Sequence, residues 1–144
     1  MSETVNLKKI DVSIVAPIFN EAPVINELYL RLKKMLDTRG CCYEIIFVND
    51  CSRDNSLDLI KKIAETDEKV KYISLRRNFG QTAALAAGFD AAVGEIIVSM
   101  DGDLQHLPED IPQLLDKIKE GYDIVSGWRK QRKDNVIMRK IPSA

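Results

Sequence analysis

Short apolar runs alternate with helix-patterned segments along most of this chain, and that alternation limits the folds open to it. Residues 12–17, 43–48 and 95–100 have the length and composition of buried strands. Between them, apolar residues recur every three to four positions, which is typical of a helix that covers a sheet. This rhythm predicts an α/β fold, with a mostly parallel sheet and helices on both faces.

The predicted elements run the length of the chain. We expect five strands, at residues 12–17, 43–48, 70–75, 95–100 and 123–127. The helices between them include one that starts at Pro23 and stops at Gly40, and an Ala-rich one over residues 80–93. The 144 residues suffice for one domain with one core. Because no element closes the chain after its basic end, we expect the natural domain to continue beyond residue 144.

Composition and charge narrow the class of protein. The chain is 45% hydrophobic and 30% charged, with a net charge of −1, which argues against a nucleic-acid binder. The charge is uneven: residues 129–140 hold six cations and one anion, and the rest of the chain holds fifteen cations and twenty-one anions. This basic segment is either a solvated tail or a loop that meets phosphate or a membrane surface.

Cysteine spacing and hydropathy predict a soluble chain that works in the cytoplasm. Cys41, Cys42 and Cys51 have no metal-binding spacing and are expected to be reduced thiols. The first residues lack the features of a signal peptide, and the most apolar stretch, 83–100, is interrupted by charged residues.

Two carboxylates at the end of a predicted strand are the strongest chemical signal. Asp101 and Asp103 directly follow the apolar run 95–100. Ligands of open α/β sheets bind at the carboxyl ends of the strands. Carboxylates there, together with a ligand's diphosphate, are a common way to hold Mg²⁺ or Mn²⁺. The alternative for Asp-x-Asp alone is a solvated acidic turn.

Every predicted strand is followed by a polar segment, so these segments should share one edge of the sheet. They are residues 17–21, 48–54, 75–80, 101–103 and 127–129. The chain lacks the Gly-x-Gly-x-x-Gly of dinucleotide-binding folds, a Walker A sequence and the Gly-x-Ser-x-Gly elbow of hydrolases. A single histidine also disfavours a Ser-His-Asp triad.

The segments after the first four strands carry motifs that resemble family 2 inverting glycosyltransferases with the GT-A fold. In chain order the motifs are Pro-x-x-Asn-Glu, Val-Asn-Asp-x-Ser-x-Asp, Arg-Asn-Phe-Gly and Met-Asp-Gly-Asp-Leu-Gln-His. The likeness is greatest to the polyprenyl-phosphate branch, which includes dolichol-phosphate mannose synthase and the bacterial undecaprenyl-phosphate sugar transferases. It runs from about residue 10 to the end of the chain.

The resemblance implies a role for particular residues. The implied nucleotide-binding residues are Pro17, Phe19, Glu21, Asp50, Asp101 and Gly102. The implied ligands of Mg²⁺ or Mn²⁺ are Asp101, Asp103 and Gln105. Catalysis would rest on Asp101, Asp103 and Arg129, with Arg129 as a cation near a phosphate. Asp50 matches the carboxylate that contacts the base, and a carboxylate suits the N–H groups of either uracil or guanine.

The resemblance also implies a reaction. A sugar would pass from a UDP- or GDP-sugar to a polyprenyl phosphate at the cytoplasmic face of a membrane, with the membrane part after residue 144. Association of this chain into a homo-oligomer is a further possible partnership. A hydroxyl acceptor would need a general base, whereas an anionic phosphate needs little or none. Asp123 and Asp134 are weak base candidates, so either the base lies beyond residue 144 or the acceptor is a phosphate.

Several alternatives remain open from sequence. The chain could act on a glycan hydroxyl, or bind nucleotide without turnover. A sugar nucleotidyltransferase would need a Gly-rich, Arg-containing loop after the first strand, where residues 17–21 read Pro-Ile-Phe-Asn-Glu. At four positions a purely local role is the alternative. Asn20 and Glu21 would then be caps of the first helix, Asp50 a cap for the loop before the second helix, and His106 a structural residue.

Overall fold

The computed structural model describes the backbone of residues 9–129 and 132–140, and the side chains of residues 9–127. The strands are β1 (Val12–Ile18), β2 (Tyr43–Asn49), β3 (Val70–Ser74), β4 (Ile96–Ser99), β5 (Ile124–Arg129) and β6 (Arg132–Lys140). The helices are α1 (Ala22–Arg39), α2 (Ser56–Thr66), α3 (Gln81–Ala91) and α4 (Ile111–Lys119), and a 3₁₀ turn at Pro108–Asp110 leads into α4. The five predicted strands are confirmed to within two residues at each end.

The strands form one sheet in the order β3-β2-β1-β4-β6-β5. β1 pairs in parallel with both β2 and β4, and β2 pairs in parallel with β3. β6 is antiparallel to both of its neighbours, so β5 runs in the same direction as the first four strands. The predicted mostly parallel sheet is therefore confirmed, and β1 lies at its centre.

The prediction of a loop or tail for the basic segment is wrong. Residues Arg132–Lys140 form β6, which lies between β4 and β5, with Lys140 opposite Ile96 and Arg139 opposite Ile124. The strand was not predicted because the charged side chains of this segment do not form the apolar pattern of a buried strand. A strand between two others is stabilised by backbone hydrogen bonds on both of its edges, whatever side chains it carries.

Two apolar clusters bury the sheet from opposite faces. The larger joins α1, α2 and α4 to one face, where Leu32, Ile60 and Leu115 pack near Ile14. Burying an aliphatic side chain of this size contributes about 1.5–3 kcal/mol. The smaller cluster packs α3 on the other face, so the predicted helices on both faces are confirmed. Among the described residues, no helix has the length and apolar character needed to cross a membrane.

The Ala-rich helix α3 packs closely on the sheet because it has a glycine where it crosses β1. A Cβ atom at Gly88 would lie 2.3 Å from Val15 Cγ1 and 3.2 Å from Val48 Cγ2. Val15 and Val48 are fully buried, and valine has little rotamer freedom with which to move aside. This contact fixes the distance of α3 from the sheet, and with it the position of the start of the helix.

We predict that Gly88→Ala destabilises the fold. Overpacking costs about 1–3 kcal/mol, and the helix preference of alanine over glycine offsets about 1 kcal/mol of it. Urea unfolding should show a net loss of about 1 kcal/mol, while Ala86→Leu, on the exposed side of α3, should stay within about 0.5 kcal/mol of the parent. A more stable Gly88→Ala variant would contradict the close packing.

Candidate active site

The loops after β1, β2, β3 and β4 surround one cavity at the carboxyl edge of the sheet. Its volume is about 390 Å³. The residues that line it are Pro17, Ile18, Phe19, Glu21, Asp50, Asn78, Gly80, Gln81, Asp101, Gly102 and Asp103. Seven of the eight implied residues whose side chains the structure describes are among them; the exception is Gln105. Segments far apart in the chain thus converge as the parallel topology requires.

The loops after β1 and β2 are joined by hydrogen bonds through Asn20. Its backbone N–H donates to Ser52 Oγ at 3.0 Å, and its side-chain Oδ1 accepts the N–H groups of Arg53 at 2.7 Å and Asp54 at 3.3 Å. Asn20 has φ +55°, a left-handed conformation that asparagine tolerates better than most residues. Asn20 therefore bonds to the neighbouring loop and does not cap α1.

The backbone N–H groups at the start of α1 donate hydrogen bonds to side chains of the segment that follows β2. Ser56 Oγ accepts the N–H of Glu21 at 3.0 Å, and Asp54 Oδ2 accepts the N–H of Ala22 at 3.2 Å. The Glu21 side chain makes no capping hydrogen bond, although glutamate occupies the N-cap position. Its carboxylate instead lines the cavity.

Asp50 is buried, with 4% of its surface exposed, and its carboxylate holds the loop that precedes α3. Oδ1 accepts the N–H of Phe79 at 2.8 Å, and Oδ2 accepts the N–H of Gly80 at 3.0 Å. The N–H of Ser56 at the start of α2 goes to Asp54 instead, so Asp50 is not the cap of the second helix. Because each carboxylate oxygen has two lone pairs, Asp50 can also accept a donor from a ligand.

The Asp101–Asp103 turn lies directly on the end of β1. A Cβ atom at Gly102 would lie 2.3 Å from Ile18 Cδ1 and 3.0 Å from the Pro17 carbonyl oxygen, so a side chain there would displace Ile18 and crowd the backbone of β1. Asp103 Oδ1 accepts the N–H of Gln105 at 3.0 Å, which closes the turn.

Asp101 is held on two sides. Gln81 Nε2 donates to Asp101 Oδ1 at 2.6 Å, and the backbone N–H of Asp101 lies 3.4 Å from His106 Nδ1, which accepts it. His106 is 4% exposed and is absent from the residues that line the cavity. This placement favours the structural role for His106 over a metal ligand.

The cavity is strongly negative. Glu21, Asp50, Asp101 and Asp103 line it, and no lysine or arginine does among the residues the structure describes there. The pKa of Glu21 is raised above its usual range by partial burial and by the like charges of Asp103, Asp54 and Asp101. A bound cation would offset repulsion of this kind, because a nearby positive charge favours the charged form of a carboxyl group.

The donor set suits a divalent cation that shares its ligands with a substrate. Asp101 and Asp103 provide hard oxygen ligands from one turn. Within residues 9–127, no group of three or more His, Cys, Asp or Glu side chains could hold a metal alone. Mg²⁺ often keeps waters and takes one or two carboxylates plus phosphate oxygens, so two carboxylates fit such an ion.

Gln105 lies apart from the cavity, and the position of the Arg129 side chain is not among those that the structure describes. The Gln105 side chain is exposed and does not line the cavity, although its N–H is part of the turn. Arg129 ends β5, and its side chain lies outside the described residues. Ile18 and Gln81 line the cavity but were not singled out from sequence. Gln81 could have been found from its position directly after the Arg-Asn-Phe-Gly motif, in the segment that connects β3 to α3.

Comparison with protein families identifies this architecture. The sequence profile of "Glycosyl transferase family 2" matches residues 13–141, which spans all four motif-bearing loops. The chain belongs to glycosyl transferase family 2. The resemblance inferred from the motifs is therefore confirmed.

Relatives within family 2 include transferases named for polyprenyl phosphates. The chain is 44% identical over 133 residues to the undecaprenyl-phosphate 4-deoxy-4-formamido-L-arabinose transferase of Shewanella sediminis, covering 92% of this chain and 40% of the relative. It is 40% identical over 139 residues to the dodecaprenyl-phosphate galacturonate synthase of Rhizobium johnstonii, covering 95% of this chain and 41% of the relative. The chain spans about two fifths of the length of the relatives it matches.

Solved structures confirm the GT-A fold. The mannosyltransferase PcManGT of Pyrobaculum calidifontis, solved with GDP-Man and Mn²⁺, superposes with a TM-score of 0.57 at 25% identity, covering 67% of this chain and 28% of that one. Glucosyl-3-phosphoglycerate synthase of Mycobacterium tuberculosis superposes with a TM-score of 0.66 at 23% identity, covering 85% of this chain and 46% of that one.

We predict that Asn20→Gly loosens the junction of the first two loops. Glycine accepts the left-handed backbone but removes the acceptor for Arg53 and Asp54, so the free energy of unfolding should fall by about 1 kcal/mol. Amide hydrogen exchange at Arg53 should also accelerate. Asn55→Gly is the matched control, because the Asn55 side chain makes no capping hydrogen bond and glycine costs only a few tenths of a kcal/mol there. Equal losses in the two variants would contradict the role of Asn20.

Proposed function

We propose that this chain is the donor-binding part of a metal-dependent inverting glycosyltransferase, which moves a sugar from a UDP- or GDP-sugar to a polyprenyl phosphate. The observation that carries the proposal is the cavity lined by Glu21, Asp50, Asp101 and Asp103 at the carboxyl edge of the sheet. A pocket of this charge excludes phosphate unless a cation enters with it. It is therefore suited to a complex of a divalent metal with a nucleoside diphosphate.

Electrostatics supports metal dependence. A nucleoside diphosphate is a polyanion, and like charges a few ångströms apart repel strongly where solvent screening is poor. Asp101 and Asp103 would hold the metal, and its positive charge would offset that repulsion. The 25% identical mannosyltransferase PcManGT was solved with both GDP-Man and Mn²⁺, which supports Mg²⁺ or Mn²⁺ here.

The other end of the cavity suits a nucleobase. Phe19 is 43% exposed while lining the cavity, and an exposed ring there offers a face on which a base can stack. Asp50 accepts hydrogen bonds and is fixed in place by the N–H groups of Phe79 and Gly80. We assign Pro17, Phe19 and Asp50 to the nucleoside, with uracil and guanine as the two candidates.

The residues then divide the work of transfer. A bound Mg²⁺ or Mn²⁺ supplies Lewis-acid stabilisation of the negative charge on the departing diphosphate. Asp103 and Asp101 would hold the ion, and Gly102 lets their turn lie directly on the end of β1. We assign Arg129 to the phosphates, where a guanidinium forms charge-assisted hydrogen bonds.

A polyprenyl phosphate is the acceptor that the observations favour. Asp123 precedes β5 and so lies at the amino edge of the sheet, opposite the cavity, which disfavours it as a general base. The Asp134 side chain lies outside the described residues. A phosphate acceptor needs little or no base, and the names of two relatives, a transferase and a synthase, contain a polyprenyl phosphate. We accordingly propose action at the cytoplasmic face of a membrane.

Two other functions remain as alternatives. A family 2 transferase that acts on a glycan hydroxyl would need a carboxylate base from outside the residues described here. A nucleotide-binding module without turnover would bind metal and nucleotide but transfer no sugar. Assay of the full-length protein with polyprenyl phosphate and with glycan acceptors separates the three.

Calorimetric titration of UDP and GDP, each with Mn²⁺ and with EDTA, tests the donor site. We predict that one nucleotide binds at least about tenfold more tightly with Mn²⁺, because the cation offsets the repulsion between the carboxylates and the phosphates. That factor corresponds to a binding free energy about 1.4 kcal/mol more favourable. Asp103→Asn should lose the metal-dependent part of the affinity and keep its melting temperature. Asp90→Asn, an exposed position on α3, serves as the control and should behave as the parent.

Two results would contradict the proposal. If neither nucleotide binds the parent chain with Mn²⁺, the donor assignment fails for this chain. If Asp103→Asn binds nucleotide and Mn²⁺ as the parent does, the metal lies elsewhere.

A further inference from the structure

Three hydrogen bonds connect the two ends of the cavity through the start of α3. The Asp50 carboxylate accepts the N–H groups of Phe79 at 2.8 Å and Gly80 at 3.0 Å. Gln81 follows as the first residue of α3, and its Nε2 donates to Asp101 Oδ1 at 2.6 Å. A continuous path therefore runs from the buried carboxylate beside the proposed nucleoside site to the carboxylate turn proposed to hold the metal.

The geometry of this path leaves the start of α3 little freedom. The two oxygens of Asp50 bind two successive N–H groups, which fixes both the position and the orientation of that peptide. Gly80 has φ +95°, a conformation that turns the chain into the helix and that other residues rarely adopt. Further along α3, Gly88 presses the helix against Val15. The Gln81 carboxamide is thus presented to Asp101 from a helix that is anchored at two points.

We propose that Gln81 is a positioning residue, which holds the Asp101 carboxylate in place for the metal and links that turn to the Asp50 end of the cavity. This inference rests on the donor site proposed above and adds a residue to it. Gln81 acts through Asp101 and not by contact with the nucleotide.

The carboxamide has the chemistry that this position requires. An amide N–H orients a carboxylate through a hydrogen bond and leaves its negative charge in place for a cation. A lysine or arginine at position 81 would neutralise the charge that the metal needs. A glutamate would add a like charge beside Asp101. Glutamine therefore orients the ligand without changing the charge of the site.

Calorimetry on Gln81→Met tests the assignment, since methionine matches glutamine in length and helix propensity but cannot donate a hydrogen bond. We expect the Mn²⁺-dependent gain in nucleotide affinity to fall by about tenfold, as for the loss of one hydrogen bond to a charged group. Affinity in EDTA should stay as in the parent, and the melting temperature should fall only slightly, because one hydrogen bond that helps to offset the carboxylate repulsion is lost. Gln113→Met, an exposed position on α4 away from the cavity, is the matched control and should leave all three values unchanged.

Two calorimetric results would overturn the assignment. An unchanged Mn²⁺-dependent gain in Gln81→Met would show that Gln81 does not position the metal turn. A loss of nucleotide affinity in EDTA as large as the loss with Mn²⁺ would show that Gln81 contacts the ligand directly.

A nucleotide-independent measurement separates failure of this inference from failure of the donor site. In NMR spectra of the chain without ligand, one side-chain amide proton of Gln81 should resonate downfield as a donor to Asp101, and should move upfield in Asp101→Ala. The Gln113 side-chain amide signals should stay in place. If the Gln81 signals are the same in both proteins, the hydrogen bond is absent and the inference fails, whether or not the chain binds nucleotide.

Discussion

The parallel pairing of β1 with β2 on one side and β4 on the other is the constraint on which the site depends. In register, Ile18 lies opposite Asn49, so β1 and β2 end level, and Ser99 lies opposite Val15, so β4 ends three residues earlier at the same edge of the sheet. The loops that follow must then share one edge of the sheet. The carboxylates of Glu21, Asp50 and Asp101 meet there because the strands before them are buried and cannot shift by one residue without exposing their apolar side chains.

Assembling four carboxylates around one cavity opposes folding, and the structure offsets that repulsion locally. Asp50 receives two backbone N–H groups, and Asp101 receives the Gln81 carboxamide. The backbone is also strained at this edge: among the described residues, the non-glycine residues with positive φ are Asn20, Cys51 and Leu104, one after each of β1, β2 and β4. Conformations of this kind persist where surrounding structure fixes them, and they are common at functional sites.

Sequence patterns sufficed for the parallel α/β fold and for most of the cavity lining, because both follow from features that side chains display. Apolar runs mark β1, β2 and β4, and a polar residue directly after such a run must lie at the carboxyl edge. Strand β6 was not predicted, because its backbone pairing with β4 and β5 stabilises it and this pairing leaves no apolar pattern in the sequence. The roles of Asn20 and Gln81 were not predicted either, because their hydrogen bonds join loops distant in sequence and depend on three-dimensional contact.

We propose that the Asp101–Asp103 turn holds a divalent metal that also binds the diphosphate of a nucleotide-sugar donor. Anomalous scattering from Mn²⁺ in crystals grown with Mn²⁺ and the nucleotide that binds would test this claim most directly. We expect a single strong peak in the cavity, within coordination distance of the Asp103 carboxylate and of the ligand's phosphate oxygens. A nucleotide bound in the cavity with no Mn²⁺ peak beside Asp103, or with the peak elsewhere, would contradict it.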